Sequence, residues 1–158
     1  IVSGYTYDGV VIPQIMYLDG DRSAAIRDDG FTLYKGSQIP KEVETIKVDK
    51  EIVSTFYDDN IIGLVFKNGD KDKPYTMRGY STDGRLKFEK KFNIPYTTIK
   101  ASGGNILLYN SSQISVMNNR GVEKYSGTVD GTISNFIKTG WNRYLLVLDN
   151  GVDVIKLS

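Results

Sequence analysis

Apolar and β-branched residues along this chain come in runs of about five to seven, each cut off by Gly, Asn or Asp. No window keeps apolar residues at i, i+3, i+4 and i+7 for three turns. That pattern predicts an all-β chain. The most regular stretch is NILLYNSSQISVMNNRGVEKY over residues 105–125, which reads as strand, tight turn, strand, tight turn, strand.

The unit recurs. Asp29-Gly30, Asn68-Gly69 and Asn150-Gly151 are dipeptides that tolerate the positive φ of a type I′ hairpin turn, and Ser111-Ser112 is a weaker copy. The anchor positions 30, 69, 112 and 151 are 39, 43 and 39 residues apart, the period of four-stranded propeller blades. The most apolar strand of each unit precedes its turn. A near-continuous run such as IIGLVF at 61–66 suits a strand covered on both faces. Alternation follows the turn, with Ile114 and Val116 on one face. A second turn comes at Asn119-Arg120-Gly121 in the third unit and at Thr82-Asp83-Gly84 in the second. The longer spacing in the second unit is taken up by DKDKP at 70–74, a charged hairpin tip. The remaining strands fall at 86–92, 96–101, 122–126 and 133–138, and in the first unit at 31–35, 42–48 and 51–57.

The fourth unit has room for only two strands before residue 158. The strand-like runs at 5–7 and 10–17, broken by Pro13, are expected to supply its missing strands. The fold predicted is a β-propeller of about four blades, each of four antiparallel strands. Its last blade is completed by N-terminal strands or by a missing part of a larger ring. Residues 1–158 form one domain or propeller fragment, with units at about 19–57, 58–102, 103–140, and 141–158 plus 1–18. Because the chain opens on Ile1, a slice of a seven- or eight-bladed ring is the favoured closure. Bare end blades would then make a homodimer a way to cover them.

Composition narrows function. Twenty Lys and Arg against 19 acidic residues leave a net charge of +1, without the field that draws nucleic acid or an acidic membrane face. Cys and His are both absent. Disulfides, thiolate metal sites and a Cys nucleophile are excluded, along with the commonest general base. The longest apolar runs, 61–66 and 144–148, are far short of the roughly 20 residues that span a bilayer. The chain opens on Ile1 without Met and shows no signal peptide of its own, as expected of a segment cut from a longer protein.

Candidate chemistry is sparse. Asp19 with Asp21, Asp28 with Asp29 and Asp58 with Asp59 are carboxylate pairs that could do glycosidic acid-base work. Each sits at a predicted turn, where Asp is favoured by local hydrogen bonding. Asp19-Gly20-Asp21 opens like a calcium loop, but Ala24 and Gly30 stand where the turn glycine and bidentate Glu belong. GYSTDG at 79–84 resembles a nucleophile elbow with its second Gly one place late, and no His exists to activate Ser81. Gly103-Gly104 lacks the Lys of a phosphate loop. The Lys clusters at 67–73 and 87–91 are interleaved with acids, as on a solvated face. No catalytic residue, metal site or cofactor is expected.

Eleven Tyr are the more informative remainder. Tyr57, Tyr109, Tyr125 and Tyr144 read as core or blade-rim residues. Tyr5, Tyr7, Tyr75, Tyr80, Tyr96 and Trp141 lie at or next to strand ends, where an exposed ring would serve glycan stacking or protein contact. The ligand-binding candidates are Tyr75, Tyr80, Tyr96 and Trp141.

The motifs LLYNSS at 107–112, STDGRLKF at 81–88 and VLDNG at 147–151 resemble quinoprotein-like and WD40-like propeller blades. Over residues 19–158 the chain resembles the propeller-like DUF5711 family, found in Clostridia as an ectodomain behind one N-terminal membrane anchor. It has no Gly-His or Trp-Asp dipeptide and no Ala-x-Asp-x-x-Thr-Gly-x-x-x-Trp motif, which argues against a quinone cofactor. The resemblance implies an interaction or sensing domain outside a Gram-positive membrane, with no assigned chemistry. The expected function is therefore a non-catalytic extracytoplasmic module whose partner is a protein or a glycan, without nucleic-acid binding or membrane insertion by this segment. The alternatives are a carbohydrate-binding or glycan-processing propeller and a purely structural repeat segment.

Overall fold

The structure, a computed structural model, describes residues 14–157. Every element in it is a strand, and within each of four sheets successive strands pair antiparallel. The first blade is β1 (Gln14–Tyr17), β2 (Arg22–Arg27), β3 (Gly30–Lys35) and β4 (Lys41–Lys47). The second is β5 (Ile52–Asp58), β6 (Ile61–Lys67), β7 (Tyr75–Ser81) and β8 (Leu86–Phe92). The third is β9 (Thr98–Ser102), β10 (Asn105–Tyr109), β11 (Gln113–Asn118) and β12 (Glu123–Thr128). The fourth has three strands among the described residues, β13 (Ile133–Gly140), β14 (Arg143–Leu148) and β15 (Gly151–Lys156).

Blades stack face to face, and the side-chain period of two explains why second strands such as β6 and β10 are apolar on both faces. On β10, Ile106 and Leu108 pack against the second blade, while Leu107 and Tyr109 pack against the fourth. On β6, Ile62 and Leu64 meet the first blade and Val65 meets the third. Three apolar layers result, one per blade junction. Each fully buried Leu, Ile or Phe in them contributes roughly 1.5–3 kcal/mol. The fourth strands β4, β8 and β12 are mostly exposed, which accounts for their Lys and Glu content. Each bends through a register shift against its neighbour, at Leu33/Tyr34, Gly79/Tyr80 and Val116/Met117.

The blade repeat is as predicted, but the sheets divide one strand earlier than the sequence units. The strand at 51–57, grouped with the first unit, is β5 and pairs with β6. The strands at 96–101 and 133–138 likewise open the third and fourth blades as β9 and β13. A repeat of hairpins carries a period without a phase. The phase lies in the links 48–51, 93–97 and 129–132, where the chain leaves one sheet for the next. Residues 14–17, expected to help complete the fourth blade, instead pair with β2 in the first. The expected strand at 5–7 and the start of that at 10–17 lie outside the described residues.

The tight turns also differ. The hairpins at the first and fourth anchors close over Asp28-Asp29 and Asp149-Asn150, with Gly30 and Gly151 already in the strands, paired with Arg27 and Leu148. Paired left-handed residues occur one turn away, at Asp59-Asn60 (φ 49° and 61°) and Gly103-Gly104 (φ 55° and 78°). These join the first strand of a blade to its second.

Candidate functional site

Because successive strands alternate in direction, the turns following first and third strands gather at one end of the stack. That end holds residues 18–21, 59–60, 103–104 and 141–142 with 36–40, 82–85 and 119–122. Polar side chains tie these turns across blade junctions. The Tyr57 hydroxyl donates to Asp19 Oδ2 at 2.8 Å and accepts from the Asp19 amide at 3.1 Å. Asp58 Oδ2 accepts from the Gly104 amide at 2.9 Å, and Asp59 Oδ2 from Asn119 Nδ2 at 3.0 Å. Lys138 Nζ donates to the Gly103 carbonyl at 2.7 Å, and Lys124 Nζ to Asn142 Oδ1 at 2.6 Å. Burial pushes the Tyr57 phenol up and the Lys138 ammonium down.

Between the first two blades this end opens into a cleft of about 440 Å³, lined by Asp19, Arg22, Asp59, Ser81, Asp83 and Lys87 among others. Its charges are mixed and its carboxylates are engaged. Asp83 accepts from the Ser81 hydroxyl and from Arg85 Nη2 at 2.9 Å, which hold its carboxyl down at about 2. A general acid needs the opposite shift. Ser81 spends its hydroxyl on Asp83 and accepts from the Arg85 amide, so the elbow-like motif is a hairpin turn. Asp28 and Asp29 lie at the other end of the stack, where Asp29 pairs with Arg27 Nε at 3.1 Å. Among the described residues no group of three or more acidic side chains is placed to hold a metal.

The four aromatic candidates do not form one patch. Tyr75 and Tyr96 meet at 5.2 Å, edge to face, at the end opposite Trp141. Tyr75 also stacks on Phe92 at 5.3 Å, and the Tyr96 hydroxyl lies 2.7 Å from Ser54 Oγ. They close the junction between second and third blades. Tyr80 is buried at 6% exposure against Phe31 and has no free face for a ligand. Its position at the end of β7 suggested exposure, but it points to the first blade and into that core. Trp141 is 89% exposed, in the turn joining β13 to β14.

A second exposed surface went unmarked in the sequence. Ile137, Leu145 and Val154 form one row across the fourth sheet, with Val147 and Val152 beside it. Ile137, Val152 and Val154 are 38%, 57% and 59% exposed. The alternation Val152, Asp153, Val154 was its only signal, and the outer strand β8 shares such alternation at Leu86 and Phe88.

No helix among the described residues is long and apolar enough to cross a membrane. The arrangement of blades is that of a β-propeller, and structural similarity agrees. BBS1N in a complex with ARL6DN matches with TM-score 0.62 and 13% identity, over 95% of this chain and 52% of that one. HIRA residues 644–1017 match with TM-score 0.62 and 14% identity, over 88% and 50%. BamB from Moraxella catarrhalis matches with TM-score 0.57 and 11% identity, over 91% and 43%. Identity this low establishes the fold alone. The chain thus spans about half the length of these propellers. By sequence, the chain belongs to DUF5711, a family of unknown function whose pattern it matches over residues 1–157. No curated protein is similar to it in sequence.

Proposed function

We propose that this chain is a non-catalytic propeller module that binds a protein partner through the end carrying Trp141. The observation that supports it is the indole itself, 89% exposed beside the left-handed Asn142 (φ 49°), in a turn tethered by Lys124. A Trp held almost wholly in solvent adds little to the stability of this fold, and Trp is among the residue types enriched at binding hot spots. The sequence holds no His or Cys for the commoner catalytic constellations. One structural neighbour, BBS1N, is described in a complex with ARL6DN, which makes protein binding a use to which such a stack of blades is put.

We place the module outside the cell of a Gram-positive bacterium, on a longer membrane-anchored protein, as the family resemblance implies. Protease treatment of intact cells tests the location: an extracytoplasmic domain is cleaved without lysis, and a protected one overturns the assignment. Photo-crosslinking from position 141 tests the binding. A discrete protein adduct at the cell envelope supports the proposal, and its absence across growth conditions rejects it. Turnover of glycans or esters by the purified domain, lost with Asp-to-Asn changes at strand ends, would reject the non-catalytic reading.

The exposed indole also suits stacking on a sugar ring, so carbohydrate binding is the second reading. A glycan array decides it. Binding abolished by Trp141→Ala favours the glycan, and no binding removes it.

A further inference from the structure

We infer that the open side of the fourth blade is a docking surface for one more β-sheet, supplied by the same polypeptide in the full-length protein. The argument rests on equivalent positions. At each junction one blade offers the alternate residues of its second strand to the next blade: Ala24 and Ile26 in the first, Val65 in the second, Leu107 and Tyr109 in the third. All are buried against a following sheet. In the fourth blade the matching residues of β14 are Leu145 and Val147, since Tyr144 and Leu146 are spent on the third blade.

Around them, Ile137 pairs with Leu145 across the sheet, and Val154 and Val152 pair with Leu145 and Val147. The row is wholly aliphatic and supplies the apolar surface that the filled junctions complete with rings such as Phe31, Phe56 and Phe136, yet Val152 and Val154 are more than half exposed. Such a contiguous apolar face is a mark of an interface. The positive residues Arg143 and Lys156 pair with each other at one end of this face, leaving its centre uncharged.

Among the described residues the sheet also has one strand fewer than the other three. β3, β7 and β11 each pair on their outer edge with a fourth strand reached after a short turn, at residues 36–40, 82–85 and 119–122. Among the described residues β15 has no such neighbour, so its edge offers backbone donors and acceptors in line with the open face. Structures similar to this chain run to about twice its length. A fourth strand on β15 followed by a fifth blade on the Leu145 row continues the established junctions without new geometry, which a second copy would not.

Hydrogen exchange on the protein expressed from its complete gene tests this. The β15 amides should be protected as well as those of β3, β7 and β11, at least about tenfold more than the exposed fourth strands. That protection should not change on dilution. Val154→Asp should raise β15 exchange and lower Tm, while Val122→Asp, at an exposed turn of the third blade, should do neither. If Val154→Asp does not fold, Val154→Thr should give the same change in smaller degree. β15 exchanging as fast as β4, β8 and β12 overturns the inference. Protection lost on dilution also overturns it, by assigning the face to a second copy, as does wild-type exchange in both Val154 variants.

Discussion

The Phe56 ring lies directly over Gly63, its cross-strand partner, so closely that a Cβ on the glycine would fall 2.0 Å from the ring. The relationship repeats across the sheet. Gly63 pairs with Gly79, Gly79 pairs with Phe88, and a Cβ on Gly79 would fall 2.2 Å from that second ring. Two phenylalanines thus fold over two glycines in one row and fill the junction with the third blade. Gly63→Ala should destabilise the protein by about 1–3 kcal/mol through overpacking, because Phe56 is buried and held among neighbours. Urea titration measures it. Adding Phe56→Leu to Gly63→Ala should recover part of the loss, and strict additivity of the two changes would show that the ring and the glycine are not coupled.

Tyr144 donates its hydroxyl to Asn105 Oδ1 at 2.8 Å, with both residues buried at the junction of third and fourth blades. Tyr144→Phe keeps the ring in its cluster but leaves a buried amide oxygen without that donor. The expected cost is about 1–3 kcal/mol. A thermal melt superimposable on the parent's would mean water replaces the hydroxyl there.

Leu107 tests the assignment of the middle strands. It is 1% exposed and packs toward the fourth blade with Tyr109, Ile114 and Leu146. Leu107→Ala should cost about 2–5 kcal/mol as a cavity mutation. Trp141→Ala, by contrast, should leave stability within about 0.5 kcal/mol, since that side chain is almost wholly in solvent.

The strands were legible because their residues obey local rules. The apolar run at 61–66 reads as a strand covered on both faces, and β6 is such a strand. The alternation of Ile114 and Val116 likewise gives one face of β11. Which strands share a sheet was not legible, because β5 looks the same whether it ends one blade or begins the next. Only non-local pairing with β6 decides that. Aromatic exposure failed for a similar reason. Tyr75 and Tyr80 both end β7, yet Tyr75 lies half-buried beside Tyr96 and Tyr80 is sealed against Phe31. Five residues place them at opposite ends and on opposite faces of one strand, and the neighbouring blade then sets the burial. Trp141 stood out in the sequence as the lone Trp, and its turn leaves it exposed.

Alkaline stability should report on the buried phenols. Burial raises Tyr144 and Tyr96 above the ordinary value of 10.0, and Tyr96 is offset in part by its hydrogen bond to Ser54. A phenol whose pKa is raised by folding holds its proton more tightly in the folded chain than in the unfolded one. Stability from this source is therefore complete below pH 10.0, and it falls as pH climbs from there through the folded values. Urea midpoints should be flat between about pH 8 and 9.5 and decline above pH 10. In Tyr144→Phe the protein starts less stable but should lose less of what remains as pH rises, because one of the raised phenols is gone. A decline of unchanged steepness in that variant would show that Tyr144 does not contribute to the alkaline limb.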